Sequence, residues 1–315
     1  MMQPKQKRYQ TAIAKEWKLL KRQEEALRRA AQKERMPKWK SALTDKVPKA
    51  VFDNLQKAFG KAFWVVFEKG TGIIEKTYDR DSIQEDFQVR EFAFQVKASR
   101  KALKKVRKDA GAGNLRNLAI TSAEGIGLGI LGIGLPDIVM FVGVLLKGVY
   151  ETALQYGYPY DSDEERYFIL KLMETAVSRG DAWEAGNDEV DRLIEGNCKG
   201  KREDFGDVSS AGEETSAGAV AEDSLALGAE AASGADINRN IDSKEEWPEK
   251  VKAQISRTAD AFAVDMVLLK FIQGLPVVGI AGGAGNPLYY SKVIQYAELK
   301  YRKRYLMRLQ NRIGE

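Results

Sequence analysis

Three charged side chains interrupt the most apolar part of this chain: Glu124, Asp137 and Lys147, with Glu151 one helical turn beyond the lysine. A charge placed among apolar neighbours must pair, neutralise or work as an acid or base. Lys147 and Glu151 are four residues apart and reach each other on a helix. Asp137 stands about 15 Å from Lys147 along a straight helix axis and must look to another element. Glu124 and Asn286 are its candidate partners. Glu124, Asp137, Lys147, Glu151 and Asn286 therefore read first as a buried polar network that fixes packing. A carboxylate pair for acid–base chemistry, or for gripping a small ligand or lipid, is the alternative reading of Glu124, Asp137 and Lys147.

Other chemistry is excluded by what the chain lacks. There are 0 histidines, which removes the usual general base and the commonest zinc ligand. Cys198 stands alone, so no intrachain disulfide or two-cysteine redox motif exists. No G-x-S-x-G elbow is present for a serine nucleophile. Gly127, Gly129 and Gly132 spell G-x-G-x-x-G, and Glu151 follows at a suggestive distance. Yet no strand precedes them, and Pro136 breaks the helix that a dinucleotide site needs. No metal and no cofactor is expected, and nucleic-acid binding is not expected without a recognisable RNA- or DNA-binding pattern.

The elements that must position these residues are helices throughout. Ile13, Trp17, Leu20 and Leu27 form a thin helical stripe over 9–35. Val51, Leu55, Phe59, Ala62, Phe63 and Val66 give 49–68 a rich apolar face, with Trp64 and several lysines around it. Such a face suits either a core or a membrane interface. Asp81-Ser82 is placed as the cap of a third helix that runs to the cations at 97–108, and a fourth runs from Ser162 or Asp163 to about Ser178. Two segments centred on Gly-Leu-Pro, at 125–137 and 273–285, are rich in small residues. Gly125, Gly129, Gly279 and Gly283 are the glycines expected to let helices pack closely, with both segments central in the fold. The run from Gly125 to Leu146 has Asp137 as its lone charge, so a membrane span is considered too. The fold class is all-α.

Charge divides the chain more sharply than its net +5 implies. Residues 1–35 carry eleven Lys/Arg against four Glu, a net +7. Residues 181–236 carry four Lys/Arg against fifteen Asp/Glu, a net −11, and 299–315 return to six against one, a net +5. The organisation expected is a basic helical extension at 1–44, a helical domain at 45–180, a largely disordered acidic insertion at 181–245 and the rest of the domain with a basic last helix at 246–315. No apolar run suited to a secretory leader precedes Pro37, so the chain is expected in the cytoplasm or on the inner face of the cell membrane.

Thr121-Ser122-Ala123-Glu124-Gly125, Leu135-Pro136-Asp137-Ile138, Leu146-Lys147 and Tyr156-Gly157-Tyr158 together resemble the EcsC family. Lys46-Val47-Pro48, Leu275-Pro276-Val277-Val278-Gly279 and Asn286 before a basic, tyrosine-rich helix are similar to it as well. The resemblance covers about 45–180 and 246–315. It implies a helical bacterial protein from a gene neighbourhood with ABC-transporter genes, and it attaches no reaction. With the basic ends and the aromatic helix at 49–68, the expectation is a non-enzymatic protein acting at an anionic membrane surface or on a membrane protein complex.

Overall fold

The computed structural model describes residues 4–33, 49–67, 71–108, 135–200, 242–273 and 285–312. Within them, side chains are described over 6–33, 49–67, 71–108 apart from Ile73, 138–196, 247–267 and 288–312. The chain is all-helical, with no strand among the described residues. The helices are α1 (Pro4–Lys33), α2 (Lys49–Val65), the single turn α3 (Thr71–Glu75), α4 (Arg80–Lys97) and α5 (100–108). They continue with α6 (Leu135–Gln155), α7 (Asp163–Val177), α8 (Gly180–Gly200), α9 (Asp242–Gln273) and α10 (Gly285–Asn311).

The last helix is the hub: α10 packs on α1, α6, α7 and α8. Helix α6 also packs against α2, α3 and α4, and α9 bridges α2 and α7. The apolar face of α2 is core. Leu55, Phe59, Ala62 and Phe63 are buried, and Phe59 and Phe63 meet Phe262 of α9 with ring centroids 5.6 Å apart. Phe141 of α6 and Tyr289 of α10 close this aromatic knot at 5.8 Å. The helices that flank the two Gly-Leu-Pro segments thus meet, although 125–134 and 274–284 lie outside the described residues. The stretch Ile138–Gln155 is long and apolar enough to cross a membrane, but most of it is buried against its neighbours. Gly148 permits the closest of these approaches, since a Cβ there would stand 2.6 Å from the Tyr290 hydroxyl and 2.7 Å from Ile294.

Local chemistry sets the helix ends. Asp79, not Asp81-Ser82, caps α4 by accepting from the Ser82 backbone N–H at 3.0 Å. The cationic run does not continue α4: Ala98 adopts φ 47°, and Ser99 Oγ then accepts from the Ala102 N–H at 3.3 Å to start α5. Ser162 caps α7, accepting from the Glu165 N–H at 3.2 Å.

The first part of the expected disordered acidic insertion is an ordered helix. Residues 180–200 form α8, which buries Trp183, Asn187, Val190 and Ile194 at spacings of 4, 3 and 4. That is a helical stripe in which Asn187 holds an inward position because its side-chain oxygen accepts from the Tyr296 hydroxyl at 3.1 Å. The remainder of the expected insertion, 201–241, lies outside the described residues. The N-terminal helix is likewise no appendage. It buries Ala12, Ile13, Leu20 and Ala31 and is tied to α10 along its length.

Candidate functional site

The predicted pair forms. Lys147 Nζ lies 4.0 Å from Glu151 and donates to the Thr77 carbonyl at 3.2 Å, which joins α6 to the turn after α3. Glu151 is buried. Asp137 and Asn286 stand in the first turns of α6 and α10, but their side chains are outside the described residues. So are Glu124, Gly125, Gly129, Gly279 and Gly283. What the fold sets close to Lys147 instead is a cluster that the sequence reading did not single out. Glu75 accepts from the Tyr160 hydroxyl at 2.7 Å and from Arg80 at 2.9 Å. Arg80 reaches across to Asp161 with both terminal nitrogens and lies over the Tyr160 ring. The hydroxyls of Tyr78 and Tyr160 share a hydrogen bond, and Tyr150 stacks on Tyr160 at 4.1 Å.

These bonds tie α3 and the start of α4 to the loop after α6. Burial pushes the Tyr78 hydroxyl up to about 12. Burial raises Tyr150 and Tyr160 too, the latter reinforced by its bonds to Tyr78 and Glu75. All three stay protonated at neutral pH, and Tyr160 donates to Glu75. Arg80 is held in its charged form chiefly by Asp161. Apart from Glu75–Arg80, partners 81 to 85 residues apart make these bonds, so no local spacing could have announced them. The loop that carries Tyr160 turns at Gly157, whose φ of 77° and position 2.2 Å (as a virtual Cβ) from the Phe87 ring leave no room for a side chain.

A second set of charges falls on α10. Lys300, Arg302 and Arg304 are buried, which corrects the expectation that the basic last helix faces an anionic partner. Lys300 contacts Glu24 and Asp191, each at 2.6 Å, and Lys303 contacts Asp191 at 2.7 Å. Arg302 donates to Gln23. Burial pushes Glu24 up, but Lys300 and Lys303 outweigh it and leave its carboxyl below the usual range. Burial carries the Lys300 ammonium below the usual lysine value against the pull of Asp191 and Glu24. Arg304 makes bonds of 3.0 and 2.7 Å to Glu165, which also accepts from Tyr301 at 2.7 Å. Part of the acidic region therefore neutralises basic helices within the fold, Asp191 serving α10 and Glu184 meeting Arg28 of α1 at 3.7 Å. Among the described residues, no group of three Cys, Asp or Glu is placed to hold a metal ion.

The remaining cations stay outside. On α1, Lys7, Arg8, Lys15, Lys18, Lys21 and Arg22 are exposed, within an arc of about 140° opposite the buried face. On α5, Arg100, Lys101, Lys104, Lys105 and Lys108 are exposed while Leu103 and Val106 turn inward. Glu16 joins the two helices from beneath, 3.3 Å from Arg107 and 3.9 Å from Arg100. From Gln6 to Arg22 and over 100–108, Glu16 is the only carboxylate, and it is buried. Composition could have located these cations, but not which basic run stays at the surface.

The sequence model of the EcsC protein family matches residues 11–306. The chain belongs to the EcsC protein family. No curated protein and no solved structure matches it. The EcsC match takes in most of α1 as well as α8, consistent with both helices being built into the core rather than appended to it. In this EcsC chain, Lys147, Tyr156 and Tyr158 fall on α6 and the loop beyond it, where they join the turn after α3 or the α10 aromatic face.

Proposed function

We propose that this EcsC protein docks peripherally on an anionic membrane surface at its cytoplasmic face and catalyses no reaction of its own. The observation that carries the reading is the composite α1–α5 surface, eleven exposed cations around one buried carboxylate. Cytoplasmic leaflets concentrate anionic lipids, and each cation near such a surface contributes about 1 kcal/mol. A basic run in a folded protein ordinarily finds carboxylates, as α10 does with Glu24, Asp191 and Glu165. Along the α1–α5 run from Gln6 to Arg22 and over 100–108, the one carboxylate is Glu16, which meets Arg100 and Arg107. The aromatic helix at 49–68 lends this reading no support, because α2 spends its apolar face on the core.

Flotation with vesicles of mixed phosphatidylserine and phosphatidylcholine tests it. The protein rises with anionic vesicles at low salt, stays behind with pure phosphatidylcholine, and is released as salt is raised. Replacing Lys101, Lys104 and Lys105 with Gln weakens flotation without lowering the melting temperature. Failure of the parent protein to float at low salt defeats the proposal.

A further inference from the structure

The outward face of α4 is apolar where solvent should meet polar residues. Val89 is 67% exposed, Phe92 68% and Val96 51%. Spaced by three and four residues, they lie within an arc of about 60°. The opposite face holds α4 to the body: Phe87 meets Tyr305, Glu91 pairs with Arg308 and Arg312, and Phe94 packs on Tyr9 of α1 with centroids 4.5 Å apart. The ridge is therefore not a core face left open by a loose helix. It is a second apolar face on a helix whose first is already used, and exposed apolar ridges of this kind mark interaction surfaces.

Its surroundings specify the occupant. The ridge ends at Val96 beside Lys97, and three residues after Lys97 α5 begins its row of exposed cations at Arg100. The other end carries Glu85 and Asp86, both exposed. A second copy docked ridge to ridge in parallel would bring two cationic rows together and be repelled, whereas an antiparallel copy would set Lys97 against Glu85 and Asp86, so the experiment below must separate that pairing from a bilayer. A bilayer with anionic headgroups accepts both features at once, cations at the phosphates and apolar side chains at the acyl boundary.

Resting on the docking reading above, we infer that Val89, Phe92 and Val96 form a wedge that enters the outer acyl region of an anionic bilayer. The C-terminal half of α4 goes in first, and Glu85 and Asp86 remain in water. Charge then brings the protein to the surface and the wedge holds it there.

An environment-sensitive nitrobenzoxadiazole label at Val96→Cys, in a Cys198→Ser background, reports insertion directly. On phosphatidylserine vesicles its emission shifts to the blue and is quenched by lipids bearing a nitroxide on the acyl chain. The variant Phe92→Ser, at an exposed position, keeps the parental melting temperature but partitions about tenfold or more weakly at moderate salt, with an unchanged salt slope. Vesicle binding with a label that still emits as in water refutes the wedge and leaves charge-driven docking standing. A concentration-dependent dimer that Phe92→Ser abolishes assigns the ridge to a second copy and overturns the proposal. Absence of vesicle binding by the parent removes both readings together.

Discussion

Neutralising Glu165 removes the anion of a closely paired, buried ion pair. Its carboxylate takes both Nη1 contacts from Arg304 and the Tyr301 hydroxyl, and Glu165 and Arg304 are each about 5% exposed. The guanidinium rests on the Tyr158 and Phe168 rings, 4.1 and 5.0 Å away. Glu165→Gln preserves the shape and an acceptor for Tyr301, so its cost isolates a buried cation left without its anion. Breaking such a pair costs about 3–5 kcal/mol. At about 2–4 °C per kcal/mol for a chain of this size, melting falls by roughly 6–20 °C. Urea unfolding at neutral pH, followed by tryptophan fluorescence, measures the loss. Adding Arg304→Met removes the stranded charge, and the double variant returns to within about 1.5 kcal/mol of the parent. A single-variant cost below about 1 kcal/mol, or a double variant as damaged as the two singles combined, would refute the assignment of this pair as a coupled buried unit.

Glu298 makes a prediction of the opposite sign. Burial pushes its carboxyl above the usual range against the pull of Arg302 and Arg107. A folded pKa above the unfolded one means that ionisation weakens the fold, so this group's contribution is lost as pH rises through the folded value. Glu298→Gln should therefore raise the urea midpoint at pH about 7, and the gain should vanish below pH about 4, where the parent is protonated in both states. Glycines of the α6 region separate by environment: Gly157→Ala, at φ 77° against Phe87, should cost about 2–4 kcal/mol in thermal unfolding. Gly143→Ala, with nothing within 4 Å of the added Cβ, should instead stabilise by about 0.5–1 kcal/mol. Equal effects at the two positions would contradict the packing described for the 156–160 loop.

Helical period and capping chemistry were local, and the sequence carried them. The inward Ile13 and Leu20 of α1, the Leu55, Phe59 and Phe63 face of α2, the Ser162 cap of α7 and the four-residue reach from Lys147 to Glu151 all follow from spacing along one helix. Family membership was legible too, through short motifs spread along the chain. The sequence was a poor guide wherever a residue's role depends on what lies opposite it. Two runs of similar basicity, 100–108 and 300–308, met different fates. Asp191 and Glu24 reach Lys300 from 109 and 276 residues away and draw it into the core, whereas the α5 lysines, with no ion pair among the described residues, are exposed. The same holds for Glu75 and Arg80, which acquire Tyr160 and Asp161 only when α3 closes on the loop after α6. Spacing fixes which side chains share a helix face, because the period is intrinsic to the backbone. Whether a charged face is buried depends on compensating it against desolvation, and only tertiary contacts bring the opposite charge within reach.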